Sequence, residues 1–69
     1  MTAIAIPDLA TMPPLLTVPQ TAELLGISRS AAYRAVARGE IPSVRIGRRL
    51  LVPTAKLYDM LGWLPEPVG

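Results

Sequence analysis

Arg29, Arg34, Arg38, Arg45, Arg48 and Arg49 lie within one short stretch, and they are the residues of this chain whose type and spacing can do chemistry. A guanidinium keeps its charge and offers a planar fork of donors that matches a phosphate or the edge of a guanine. Against the single carboxylate of that stretch, Glu40, the six arginines give a local charge of +5. Elsewhere Lys56 stands against Asp8, Glu23, Asp59 and Glu66, a balance of −3, so the net +2 conceals a polarised molecule. Each guanidinium set on a phosphate releases a condensed counterion, so a basic surface of this kind suits a polyanion. Nucleic acid is the expected partner, and the helix-turn-helix described below makes it double-stranded DNA.

Other chemistry finds little to work with. The chain has no cysteine and no histidine, so neither a disulfide nor a thiolate or imidazole metal site is expected. Ser28, Ser30 and Ser43 have no histidine to activate them, and the five carboxylates are scattered, so no catalytic residue and no cofactor is predicted. The uncharged run from Leu9 to Ala22 is broken by Pro13, Pro14 and Pro19, which is wrong for a membrane span. Met1 to Pro7 lacks the basic start and apolar core of a secretory leader, and a cytoplasmic, nucleoid-associated location is expected.

With 69 residues the chain is one small domain. Residues 1–14 are apolar, proline-punctuated and without a period, and read as a flexible arm; residues 15–63 form the ordered unit; residues 64–69, Leu-Pro-Glu-Pro-Val-Gly, read as a tail. Thr17 and Gln20 have the spacing of a capping box opening a first helix, with Ala22, Leu24 and Leu25 as its apolar stripe and Gly26 as its end. Ile27 reads as an apolar plug in the turn. Ser28 is the predicted N-cap of a second helix, Arg29 to Arg38, stopped by Gly39. The period then changes: Val44 to Ile46 and Arg49 to Val52 alternate about Gly47-Arg48, a two-residue turn of type II′. Val44 and Ile46 are expected to face inward with Leu50 and Val52. A third helix, from Pro53 or Thr54 to Leu61, presents Leu57, Met60 and Leu61 and is stopped by Gly62.

The class is therefore mainly α with a small β-hairpin, in the order helix, helix, hairpin, helix. Two short helices joined by Gly26-Ile27-Ser28 make a helix-turn-helix, whose second helix enters the major groove. Ala32, Ala35 and Val36 fall on its inner face. Ser28, Arg29, Ser30, Tyr33, Arg34 and Arg38 are the candidate DNA contacts, with Arg34 chosen to read a base and Tyr33 divided between core and DNA. Arg45, Arg48 and Arg49 are the candidate hairpin contacts, with protection of an edge strand as the competing role. Leu51 and Trp63 are candidates for a protein contact, though a tryptophan is more often a core lid.

The segments Leu16-Thr17-Val18, Ala22 to Ser30, Tyr33-Arg34, Gly39-Glu40-Ile41-Pro42, Val44 to Arg49 and Val52-Pro53 together resemble the excisionase family, small DNA-binding proteins of the MerR-like winged helix-turn-helix group. The resemblance covers about residues 15 to 62. It implies a second helix in the major groove and a hairpin acting as wing. It also implies binding to repeated sites near a phage or mobile-element attachment site, DNA bending, contact between neighbouring copies, and an integrase partner turned toward excision. MerR proteins proper continue into a long dimerisation helix and an effector domain, which the residues up to Gly69 do not contain, so ligand sensing is not implied. Leu51 occupies a wing position that is often polar or basic in such proteins. A stand-alone transcriptional regulator of the same fold is the second reading, and a small protein-interaction module such as an antitoxin is the third.

Overall fold

Two local signals start the first two helices of the chain, whose structure is a computed structural model describing residues 7–63. The Thr17 hydroxyl accepts from the Gln20 amide at 3.1 Å while the Gln20 side chain accepts from the Thr17 amide at 2.9 Å, closing the capping box of α1 (Val18–Leu25). Pro19 sits in the first turn, where its missing amide has no intrahelical partner to lose. Gly26, at φ +71°, ends α1 in the left-handed conformation that a side chain disfavours, and the Ile27 amide donates to the Ala22 carbonyl. The Ser28 hydroxyl accepts from the Ala31 amide at 3.1 Å and opens α2 (Arg29–Ala37), with Arg38 as its C-cap.

Three strands complete the unit: β1 (Leu15–Thr17), β2 (Val44–Ile46) and β3 (Arg49–Pro53), in the antiparallel order β1-β3-β2. The last helix, α3 (Thr54–Leu61), follows β3 directly and ends at Gly62. The expected hairpin is present, with Gly47 at φ +61° and no positive φ at Arg48, which is the sign pattern of a type II′ turn. β1 adds a third strand that the sequence did not announce.

The hairpin's facing corrects the sequence reading. Ile46 pairs with Arg49, Arg45 with Leu50 and Val44 with Leu51, and residues directly opposite across a ladder share a face. Leu16 and Val52 are paired and buried, so Leu50 and Arg45 lie on the core side of the sheet. Val44 and Ile46 lie on the other side and are 39% and 55% exposed. Ile27, expected as a plug, is exposed as well. In α3 the buried residues are Thr54, Leu57 and Tyr58, while Met60 and Leu61 are exposed.

Leu16, Val18, Ala22, Ala32, Ile41, Val52 and Leu57 form the core, with Leu24, Leu25, Ala35, Val36 and Leu50 packed at its margin. Ala32 is fully buried, and so small a side chain lets α1 and α2 approach closely. Residues 7–14, read as part of an arm, lie folded along α3. The Thr54 amide and hydroxyl donate to the carbonyls of Pro14 and Pro13, at 3.0 and 2.6 Å, and the Tyr58 hydroxyl donates to that of Pro7 at 2.7 Å. These bonds satisfy hydroxyls that burial would otherwise leave costly. The rest of the expected arm, residues 1–6, and the tail, 64–69, lie outside the described residues.

Candidate nucleic-acid interface

α2 divides by its helical period. Ala32, Ala35 and Val36 turn toward α1 and the core, and Arg29, Ser30, Tyr33, Arg34 and Ala37 are exposed on the opposite side. Ser28 spends an acceptor pair on the Ala31 amide and keeps its own hydroxyl proton free to donate. Tyr33 does not join the core; it is 49% exposed and stands over the space between α2 and the hairpin.

That space is an open cleft of about 570 Å³. One wall is the start of α1, with Thr17, Val18 and Pro19; Tyr33 forms a second; the hairpin supplies Arg45, Arg48, Arg49, Leu50 and Leu51. All three hairpin arginines therefore border the same cleft as a phenol from the second helix. Arg45 reaches it from the core side of β2, the face opposite to the one that alternation along the strand predicts for it. The contribution of Thr17 and Pro19 was also unforeseen, because those residues carried only a capping signal.

Among the described residues the single ion pair is Arg38 with Glu40, at 3.7 Å between two exposed side chains. Such a pair is worth ~0–1 kcal/mol and gives way readily to a stronger partner. Arg29, Arg34, Arg45, Arg48 and Arg49 have no carboxylate within salt-bridge distance among the described residues. Five guanidinium groups on α2 and the hairpin without a carboxylate partner among the described residues leave a surface on which no internal anion would have to be displaced by a polyanion.

The two candidate protein contacts are placed differently. Leu51 is half-buried in the central strand, between Thr17 on β1 and Val44 on β2. Trp63 packs edge-to-face on Tyr58, with ring centroids 5.3 Å apart and planes at 82°, and is partly covered. Among the described residues no group of three or more His, Cys, Asp or Glu side chains gathers as metal ligands. No helix there is long and apolar enough to cross a membrane.

Comparison with known proteins points to the same region. The model of a helix-turn-helix domain family matches residues 15–61. A protein of Mycobacterium tuberculosis named "Putative DNA-binding protein", represented in two strains, is 45% identical over 47 residues, which are 68% of this chain and 60% of that protein. A "Probable excisionase" of Saccharopolyspora erythraea is 49% identical over 45 residues, 65% of this chain and 46% of that protein. The chain thus aligns with about half to three-fifths of the length of these relatives. No solved structure matches it.

Proposed function

Because the chain belongs to the helix-turn-helix domain family, we propose that it is a sequence-specific, non-catalytic DNA-binding protein of the MerR-like winged kind, working in the cytoplasm as an excisionase. The observation that carries the DNA-binding mechanism is the cleft between α2 and the hairpin, bordered by Tyr33, Arg45, Arg48 and Arg49. In B-form DNA one sugar-phosphate backbone separates the major groove from the minor groove beside it. A protein that puts a helix into the first and a hairpin tip into the second must straddle that backbone, and the cleft is the place for it. Arg34, on the exposed side of α2, then addresses base edges, while Arg29, Arg45 and Tyr33 meet phosphates.

The 49% identity with the "Probable excisionase" of Saccharopolyspora erythraea favours a role in recombination. In this reading copies of the protein bind repeated sites beside an attachment site, bend the duplex and bias a separate integrase toward excision. Bending a site costs on the order of 1–6 kcal/mol, which contacts between neighbouring copies offset. The relatives named only for DNA binding favour a second reading, a transcriptional regulator using the same interface.

Footprinting on the DNA flanking the protein's own gene, followed by recombination assays with any integrase encoded beside it, tests both. Repeated protected sites and stimulation of excision alone support the excisionase reading. Protection confined to a promoter, with recombination indifferent to the protein, replaces it with the regulator.

A further inference from the structure

Among the described residues Ile46 is the most exposed large hydrophobic side chain, at 55%, and it occupies an unusual place for one. It directly precedes the Gly47-Arg48 turn, pairs across the hairpin with Arg49, and follows Arg45 in β2. A β-branched side chain thus projects from the hairpin tip beside Arg49 and next to the turn that carries Arg48, on the side of the sheet away from the core and from Arg45. The core gains nothing from it there. The surrounding charge restricts what it can meet: an apolar protein surface would have to bury those arginines with it, whereas the minor groove offers sugars and base edges beneath a negative potential that attracts arginine.

We infer that Ile46 is an apolar wedge that enters the minor groove beside Arg48 and Arg49 and unstacks a base step, so that the hairpin tip is the element that kinks the DNA. The inference rests on the DNA-binding reading above and adds the place and the means of distortion. Side chains of this type, pressed between base steps, kink a duplex by about 20–90° toward the major groove. The arginines hold the tip in the groove, and the pairing of Ile46 with Arg49 across the two-residue turn fixes the face on which Ile46 stands.

The test uses the whole protein and the duplex it selects from a random-sequence pool, synthesised with 2-aminopurine at successive positions under the hairpin and with end-placed dyes for energy transfer. Wild-type protein is expected to raise 2-aminopurine fluorescence at one step and to shorten the end-to-end distance. Ile46→Ala is expected to abolish both signals with only a several-fold loss of affinity and an unchanged circular dichroism spectrum, while Ile46→Met retains them. If Ile46→Ala bends and unstacks the DNA as the wild type does, the wedge is refuted while DNA binding stands. If its effect is confined to cooperative binding on duplexes carrying two adjacent sites, Ile46 meets a second copy and the inference also fails. Failure of the wild type to select any duplex would instead overturn the DNA-binding reading itself.

Discussion

Replacing Arg48 and Arg49 together by alanine isolates the hairpin's share of DNA binding from that of α2. Five arginines on the interface lack a carboxylate partner among the described residues. With Arg34 on a base, the other four are available for phosphates. Four neutralised phosphates give a log–log salt slope of about −3.6, so raising salt from about 50 to about 200 mM weakens binding ~150-fold. Removing Arg48 and Arg49 leaves two, a slope of about −1.8 and a loss of only ~12-fold over the same interval. Both side chains are exposed at or beside the turn, so the fold should be untouched, as circular dichroism can verify. Fluorescence anisotropy with a selected duplex and a scrambled one, across a salt series, measures the slopes. The change must appear equally on both duplexes, because phosphates carry no sequence. Parallel salt slopes for wild type and double variant would refute the placement of the hairpin on the backbone.

Arg34→Ala should behave differently in kind, costing about 1–3 kcal/mol on the selected duplex and relaxing preference at one position, with little change in salt slope; equal losses on selected and scrambled duplexes would count against base reading. Gly47→Ala meets no atom within 4 Å, so its cost comes only from φ +61° and should be about 1–2 kcal/mol in urea unfolding. Leu57→Ala empties a buried position and should cost ~2–5 kcal/mol, enough to unfold much of so small a domain, whereas Met60→Ala, on the exposed side of the same helix, should stay within about 0.5 kcal/mol of wild type. Tyr58→Phe orphans the Pro7 carbonyl and should lower stability by about 1 kcal/mol while speeding proteolysis of residues 7–14.

The local signals were legible and the pairings across the chain were harder to read. Thr17 with Gln20, Ser28, and the glycines at 26, 39, 47 and 62 act within a few residues of themselves, and the helix starts and stops and the hairpin turn they announce are those observed, except that α2 ends at Ala37, one residue short of the expected Arg38, which is its C-cap. The hairpin's facing was also decidable in principle. A two-residue turn at Gly47-Arg48 forces Ile46 opposite Arg49, and therefore Val44 onto the face of Leu51; alternation counted separately along each strand overlooked that constraint. β1 is three residues long and exists only because β3, far along the chain, supplies its ladder. The anchoring of residues 7–14 depends on hydroxyls of Thr54 and Tyr58, a contact no local pattern encodes. On the candidate interface the arginines were visible from composition and spacing. The cleft that gathers Arg45, Arg48, Arg49 and Tyr33 required the sheet register and the α1–α2 packing together.

That packing also explains how a domain of this size can aim side chains at DNA with useful accuracy. Ala32 lets α2 sit close against α1, and α1 is tied through Thr17 to β1, which pairs with the strand that forms one arm of the hairpin. The second helix and the hairpin tip are thus joined by a short run of packed and hydrogen-bonded residues. The residues proposed to touch DNA lie almost wholly outside the core, so their substitution can change binding without changing folding. A protein that contributes no chemistry can bias an integrase only by binding one arrangement of DNA more tightly than another. A loosely held tip would accept straight and kinked duplexes alike and shift nothing. With the helix–hairpin spacing fixed, a duplex of the wrong curvature loses either the α2 contacts or the hairpin contacts. That difference in binding energy is what the excisionase reading requires.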